Sequence, residues 1–370
     1  VRVLTDVVAV DREFDYEVPE AWHRDGRAAR LGVGTMVRVT LHNRRVGGWV
    51  TECDPAGEPP ELLPLAKLVG AGPPPGVLDL AGWAAKRWAG RRATFYGTAS
   101  PPRVVESVPQ PAASPAPQVG SADVDPTGFW EDAFEQPVSV VRIPPAGDRG
   151  SLLAAALHRG DALLVVPQVA EAARLVGWVR RRGVAAALLA EDWARAAAGG
   201  VVVGTRAAVF GPMPRLGAVV VLDEHDEALV AEDSPTWSAR EVAVERARRA
   251  GVPCVLVSPI PSLEAQELAS GDVLSVPRHT EREGWPSLEV VDQRDPEVAR
   301  RGLLTETLVA RLRSAGRAVC VLNRKGRARL LACSACEDLV VCDSCGAAVA
   351  ESIGSSDGGA SGGLDCPRCG

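Results

Sequence analysis

Three successive rhythms of hydrophobic and polar positions run along the chain. The first hundred residues carry short valine-rich runs: "VRVLTDVVAV" from Val1, "FDYEVP" from Phe14 and "GTMVRVTLHNRRVGGWVTE" from Gly34. Alternation broken by glycines predicts a small twisted sheet or barrel. The amphipathic stretch "VLDLAGWAAKRWAGR" (77–91) has a helical period and is expected to pack against that sheet. These runs define a β-rich domain over residues 1–100. From 101 to 137 the text turns to Pro, Ala and Ser ("PPRVVESVPQPAASPAP"), with too few periodic apolar positions for a core. That composition predicts a linker.

At residue 138 the rhythm becomes strand, helix, strand. "ALLVVP", "VAAALLA", "VVVGT", "AVVVLD" and "CVLVS" are continuously apolar, and helical stretches such as "VAEAARLVGWVRRRG" separate them. Buried strands alternating with helices predict an α/β domain over 138–316, with a parallel sheet covered on both faces. "SAREVAVERARRAG" is a helix punctuated by a Ser238/Glu241 capping box and by Gly251 after its last turn. A long helix over 296–316 is expected to feed a further strand, "AVCVLN" (318–323), which opens a last region, 317–370.

Length and charge narrow the reading. The 370 residues leave room for two or three domains, and the formal net charge of −6 argues against a surface coated throughout by nucleic acid. The acidity is uneven: residues 1–103 hold fourteen basic against twelve acidic side chains. A local DNA site there is compatible with the balance. No apolar run approaches the ~20 residues of a membrane span, and the first residues lack the order of a signal peptide. No membrane partner is expected.

The cysteines carry the strongest single motif. Six of the nine fall in the last 38 residues, as Cys333-x-x-Cys336, Cys342-x-x-Cys345 and Cys366-x-x-Cys369. Each pair can place two sulfurs on one metal, and two pairs complete a tetrahedral zinc site. Three pairs make one complete site and half of another. A redox role is the competing reading, but no thioredoxin-like strand-to-helix context precedes any pair. Cys53, Cys254 and Cys320 lie in apolar, strand-like contexts and are expected in the core.

The stretch "VVVLDEHD" (219–226) reads as a buried strand running into acidic residues and a histidine, the arrangement that holds the magnesium of ATP in nucleic-acid helicases. Together with "FDYEVPE", "LLVVPQVAEA", "VVVGTRAAVFGPMPRLGAVVVLDEHD", "LVSPIPSLEA", "LNRKGRARLLACSAC" and the cysteine pairs, in this order, it resembles the PriA family of replication restart proteins, bacterial superfamily 2 DNA helicases. The resemblance implies a 3′-end DNA-binding domain, a RecA-like helicase lobe at 138–316, and a second lobe with an inserted zinc module beginning at 317. Residues 101–137 stand where the family has a winged helix, which looks eroded here. The chain stops at Gly370, inside the zinc module, so most of the second lobe is expected to be missing.

The family's phosphate cradle should fall on Pro144–Ser151, which reads PPAGDRGS. A P-loop needs glycine flexibility, a lysine and free amides. Here there is no lysine, two prolines remove donors, and Asp148 adds a negative charge. Aligned without gaps, the family's magnesium-binding aspartate falls on Leu222; a slip of one residue puts it on Asp223. The coupling motif has become Ser258-Pro259-Ile260, whose isoleucine cannot relay hydrogen bonds. ATP binding is therefore not expected, and "VVVLDEHD" is read as a core strand ending in a solvated acidic loop.

What the resemblance leaves is DNA and zinc. Phe14, Asp15 and Tyr16 match the family's pocket for the terminal base of a DNA 3′ end, with Gly34 and Lys67 near its other wall. An aromatic ring can stack on the base, Asp15 can accept from a base edge or hold Lys67, and Lys67 can reach phosphate. As alternate residues of a strand, Phe14 and Tyr16 should place at least one ring in the core. Arg44 and Arg45, in an expected hairpin loop, could touch the DNA backbone. By the same resemblance Cys342/Cys345 and Cys366/Cys369 close one zinc site, while Cys333/Cys336 lack their partners. The implied function is recognition of stalled forks for primosome assembly in the cytoplasm, at the nucleoid, with primosome and single-strand-binding proteins as partners and without ATPase activity. An active 3′-to-5′ helicase and a zinc-ribbon regulatory protein are the alternatives.

Overall fold

A two-residue turn, His42–Asn43, sets the geometry of the N-terminal sheet. Both residues have left-handed backbones (φ 46° and 62°), as a tight hairpin turn requires. The computed structural model describes residues 1–56, 61–110, 128–189, 191–292, 305–321, 331–333, 335–336, 338–351, 364–366 and 368–369. Residues 1–287 form one compact unit and 288–370 a second.

In the first unit, β1 (Arg2–Thr5), β2 (Glu13–Asp15), β3 (Met36–Leu41), β4 (Arg44–Glu52) and β5 (Lys67–Gly70) form an antiparallel sheet. Their order is β2-β1-β4-β3-β5. The sheet curls until its edges meet: Glu17 N donates to Leu63 O (3.0 Å) and Leu65 N to Glu17 O (3.0 Å). Val3, Tyr16, Val37, Val39, Val50 and Leu65 fill the interior, joined by Trp22 from the short helix α1 (Glu20–Arg24). Residues alternate across a strand, so Leu4 and Trp49 face the other way. They meet α2 (Pro75–Arg87) and α3 (Arg92–Ala99).

The larger sheet has seven strands: β6 (Val138–Arg142), β7 (Ala162–Val165), β8 (Ala186–Leu188), β9 (Val201–Gly204), β10 (Ala218–Leu222), β11 (Cys254–Ser258) and β12 (Val273–Ser275). Every pairing is parallel, in the order β12-β6-β11-β10-β7-β9-β8. The five strands expected from the sequence are present as β7 to β11, the apolar run "VSVVRIP" forms β6, and β12 is an addition. Every residue of β10 is fully buried, which is why the run is uniformly apolar. Among the helices, α4 is Phe129–Asp132, α5 Gly150–His158, α6 Val169–Arg181, α7 Trp193–Ala197, α8 Ala239–Ala250, α9 Leu263–Leu268 and α10 Arg278–Glu283. The expected punctuation of α8 is realised: Ser238 Oγ accepts from Glu241 N, and Gly251 takes a left-handed φ of 66°.

Part of the region read as linker is packed. Trp130, Ala133 and Phe134 are buried on α5 side chains, because the aromatic cluster 129–134 supplies the apolar surface that the Pro-Ala-Ser text lacks. Residues 105 and 106 lie along the small sheet, through Ala71 N to Val105 O (2.7 Å) and Arg30 Nη2 to Glu106 O (2.6 Å). Residues 111–127 lie outside the described residues.

In the second unit, α11 (Glu306–Ser314) is capped by Thr305 Oγ1. The expected start of that helix, 296–304, lies outside the described residues. The strand expected at 318–323 does not form over 318–321, whose valines are almost fully exposed with no partner strand among the described residues. A short antiparallel pair, β13 (Ala350–Glu351) and β14 (Leu364–Asp365), carries the cysteine region. Cys254 is buried as expected, but Cys53 and Cys320 are exposed. Apolar neighbours in the sequence did not bury them because Cys53 follows the end of β4 and Cys320 sits in the unpaired run. Among the described residues no helix is long and apolar enough to cross a membrane.

Candidate functional site

The residues matched to a 3′-end pocket fall into two groups. Phe14 and Asp15 lie on β2, one edge of the small sheet. Lys67 opens β5, the other edge, and the bonds of Glu17 to Leu63 and Leu65 bring those edges together. Phe14 is half-buried, with the Arg12 guanidinium 5.5 Å from its ring centre. Tyr16 is the ring that fills the core: it is 3% exposed and its hydroxyl donates to Thr40 O at 3.1 Å. Burial pushes its phenol pKa up.

Asp15 is held by Arg2 rather than by Lys67. Arg2 donates from Nε to Oδ1 (2.9 Å) and from Nη2 to Oδ2 (3.3 Å), and its Nη1 reaches Glu52 Oε2 (2.6 Å). The sequence motif omitted Arg2; the β1–β2 register, which sets Arg2 opposite Asp15, is what brings it in. Lys67 is exposed and makes no ion pair among the described residues. Gly34 has φ +94°, and a Cβ there would collide with the Pro73 carbonyl. It sits beside a cavity of about 300 Å³ that Pro73, Trp193 and Met213 also line. Arg44 and Arg45 are exposed at the start of β4, just after the turn.

At the carboxyl ends of the parallel strands, the loop after β6 is tied down by its own hydrogen bonds and by one to the end of α10. Ala146 N donates to Gly284 O (3.1 Å), Gly147 N to Pro144 O (2.8 Å) and Gly150 N to the Asp148 carboxylate (2.9 Å). Three amides that could have faced a phosphate are already used. Arg149 forms a two-pronged bridge to Asp223 at 2.9 and 2.7 Å and reaches Glu171 at 3.4 Å. Leu222 is core, and Asp223 is the carboxylate that the strand end presents.

The following loop is less solvated than its composition suggests. Glu224 is fully buried, bound by Arg240 Nη1 (2.8 Å), Ser262 N (2.7 Å) and Ser262 Oγ (2.8 Å). A buried carboxylate requires such partners, and α8 and the start of α9 supply them. His225 Nδ1 lies 2.8 Å from Ser258 Oγ, while the Ile260 side chain points to solvent.

The Sγ atoms of Cys342, Cys345, Cys366 and Cys369 lie within 4.8 Å of one another. Cys342–Cys369 and Cys345–Cys366 are each 3.5 Å apart. Four thiolates around zinc at ~2.3 Å stand about 3.8 Å apart, so the cluster fits a zinc ion with little adjustment. Amides of Arg368 and Cys369 pull the Cys366 thiol down to about 6. Hydrogen bonding to Cys342 first, then to Cys366 and Cys345, pushes Cys369 up to about 12. Such a split suits sulfurs that share protons until a cation displaces them. Cys333 and Cys336 are exposed and outside this cluster.

Residues 2–101 match the family described as the 3'DNA-binding domain (3'BD) of PriA. The chain is also similar to the Replication restart protein PriA of three bacteria. For Bacillus subtilis the identity is 32% over 155 residues, covering 39% of this chain and 19% of the relative. For Treponema pallidum it is 35% over 153 residues, 39% and 22%. For Thermotoga maritima it is 31% over 192 residues, 48% and 26%. The matched part therefore spans about a fifth to a quarter of each of these relatives. Residues 2–101 thus match a PriA-type 3′DNA-binding domain, and 39–48% of the chain is similar to PriA proteins.

Proposed function

We propose that the protein binds DNA at replication forks through its first hundred residues, engages an exposed 3′ end there, and serves replication restart without hydrolysing ATP. The match of residues 2–101 to a 3′DNA-binding domain carries this reading. Phe14, half-exposed on β2, offers a face to the terminal base, and Lys67 on the facing edge offers a charge to phosphate. Asp15 accepts from the base edge while Arg2 fixes its orientation. Tyr16 backs the strand from the core, and Gly34 is assigned to the pocket by the PriA likeness alone.

The larger sheet is read as a RecA-like lobe. The strand before that loop, β6, is separated from the acidic strand β10 by β11 alone, and all three end on one edge. That edge is read as lacking a phosphate cradle: no lysine stands in Pro144–Ser151, and the amides of Ala146, Gly147 and Gly150 are already bonded. The cluster of Cys342, Cys345, Cys366 and Cys369 is assigned to one structural zinc, with the module serving as a platform for DNA or primosome proteins. Single-strand-binding protein, a cytoplasmic location and association with the nucleoid follow from the PriA likeness.

Two measurements test the reading. Binding to forks with a free 3′ end, compared with forks lacking one and with plain duplex, should show a preference that Asp15→Ala removes. Equal loss on all three substrates would make Asp15 structural only. DNA-stimulated ATP hydrolysis by the same preparation would overturn the second half.

A further inference from the structure

Three strand ends converge on one ion cluster at the carboxyl edge of the parallel sheet, the edge at which open α/β sheets bind ligands. Asp223 follows β10 directly, Glu171 stands in the first turn of α6 beyond β7, and Arg149 closes the loop after β6. Each side chain is about a fifth exposed. Both prongs of the Arg149 fork go to Asp223, and one of them also reaches Glu171. Asp223 adopts a left-handed backbone (φ 48°), an unusual conformation outside glycine, asparagine and aspartate.

We propose that Arg149 is a built-in counter-ion, seated where a divalent cation would otherwise bridge Asp223 and Glu171. The charge requirement of this edge is then met within the chain. Without the guanidinium, two partly buried carboxylates would face one another across the space it fills. Mutual repulsion is costly at reduced dielectric, and a hard cation with oxygen ligands is the simplest replacement. Burial, followed by the charge of Asp223, already raises the Glu171 pKa even with Arg149 present. Arg149 and Arg174 oppose that rise.

The inference rests on the reading that this edge no longer takes nucleotide, so its test uses metal alone. The unfolding midpoint of the full chain should not move with millimolar Mg²⁺ or Mn²⁺. Arg149→Ala should lower that midpoint by about 3 °C, and Mn²⁺ should then recover about half of the loss. Arg149→Gln, which keeps a donor to Asp223 but no charge, is the second variant should the alanine chain not fold, and it should gain the same Mn²⁺ response. Asp223→Asn added to either variant should abolish that response. Equal Mn²⁺ stabilisation of the unaltered chain, or none in both Arg149 variants, would overturn the assignment. ATP hydrolysis by the unaltered chain would instead count against the functional reading.

Discussion

Glu171 shows how one side chain reports on its neighbours. Burial and the charge of Asp223 raise its pKa, Arg149 and Arg174 lower it, and Asp226 raises it again. A carboxyl whose folded pKa exceeds its unfolded value of about 4.3 contributes stability that is complete below that value and lost as pH rises through the folded pKa. Arg149→Ala removes one of the lowering charges, so this loss should grow. The midpoint gap between the unaltered chain and the variant should be widest at neutral pH and narrow as pH falls toward the ordinary carboxylate range. Unfolding midpoints measured across that window check this, and a gap independent of pH would separate Glu171 from Arg149. Residue types alone did not disclose the triad. Arg149 reads as one more arginine in an arginine-rich chain, and only the loop's path brings it to Asp223. Phe14 and Tyr16 were equally ambiguous. Both are aromatic and two apart on one strand end, and the position of the sheet interior decided that Tyr16 is the buried ring.

Regular elements were legible wherever burial was uniform or strictly periodic. Strands β7 to β11 are apolar because helices cover both faces of their sheet, and that environment writes itself into the text. The run 318–321 has the same composition but no neighbour to pair with among the described residues, and composition cannot supply a partner. Helix α8 carries a feature that no pattern announced. Arg246 is buried and donates to Val209 O (2.6 Å) and Gly211 O (2.7 Å), in and just after the turn Arg206–Phe210. Burial lowers its pKa to about 10. Arg246→Ala should leave those carbonyls unpaired over a cavity and cost about 3 kcal/mol, read by denaturant unfolding. At the cysteine region, Cys366→Ser should release about one zinc per chain, whereas Cys333→Ser should leave the metal content unchanged. Metal analysis of the purified proteins decides between this pairing and one that uses the first knuckle.

Across residues 1–287 the two sheets share one core. Leu4 and Trp49 from the small sheet, the inner faces of α2 and α3, and Val219 and Leu256 from the large sheet belong to a single buried cluster. Phe95 of α3 lies 6.0 Å from both Phe210 and Trp237, centre to centre. Trp49 Nε1 donates to Ser100 Oγ (2.8 Å), and Trp193 Nε1 to Ala99 O (3.1 Å). Phe95→Ala should therefore cost about 3–4 kcal/mol and lower one transition shared by both sheets; two separate transitions would contradict the common core. Joining by packing has a consequence for the polypeptide itself. The covalent connection through 111–127 is not what holds the halves together, so the fold should outlive its loss. A protease site engineered into that stretch and cleaved should leave two fragments, 1 to about 110 and about 128 onward, eluting as one particle. Separately expressed, the same fragments should find each other and rebuild the protein from two chains.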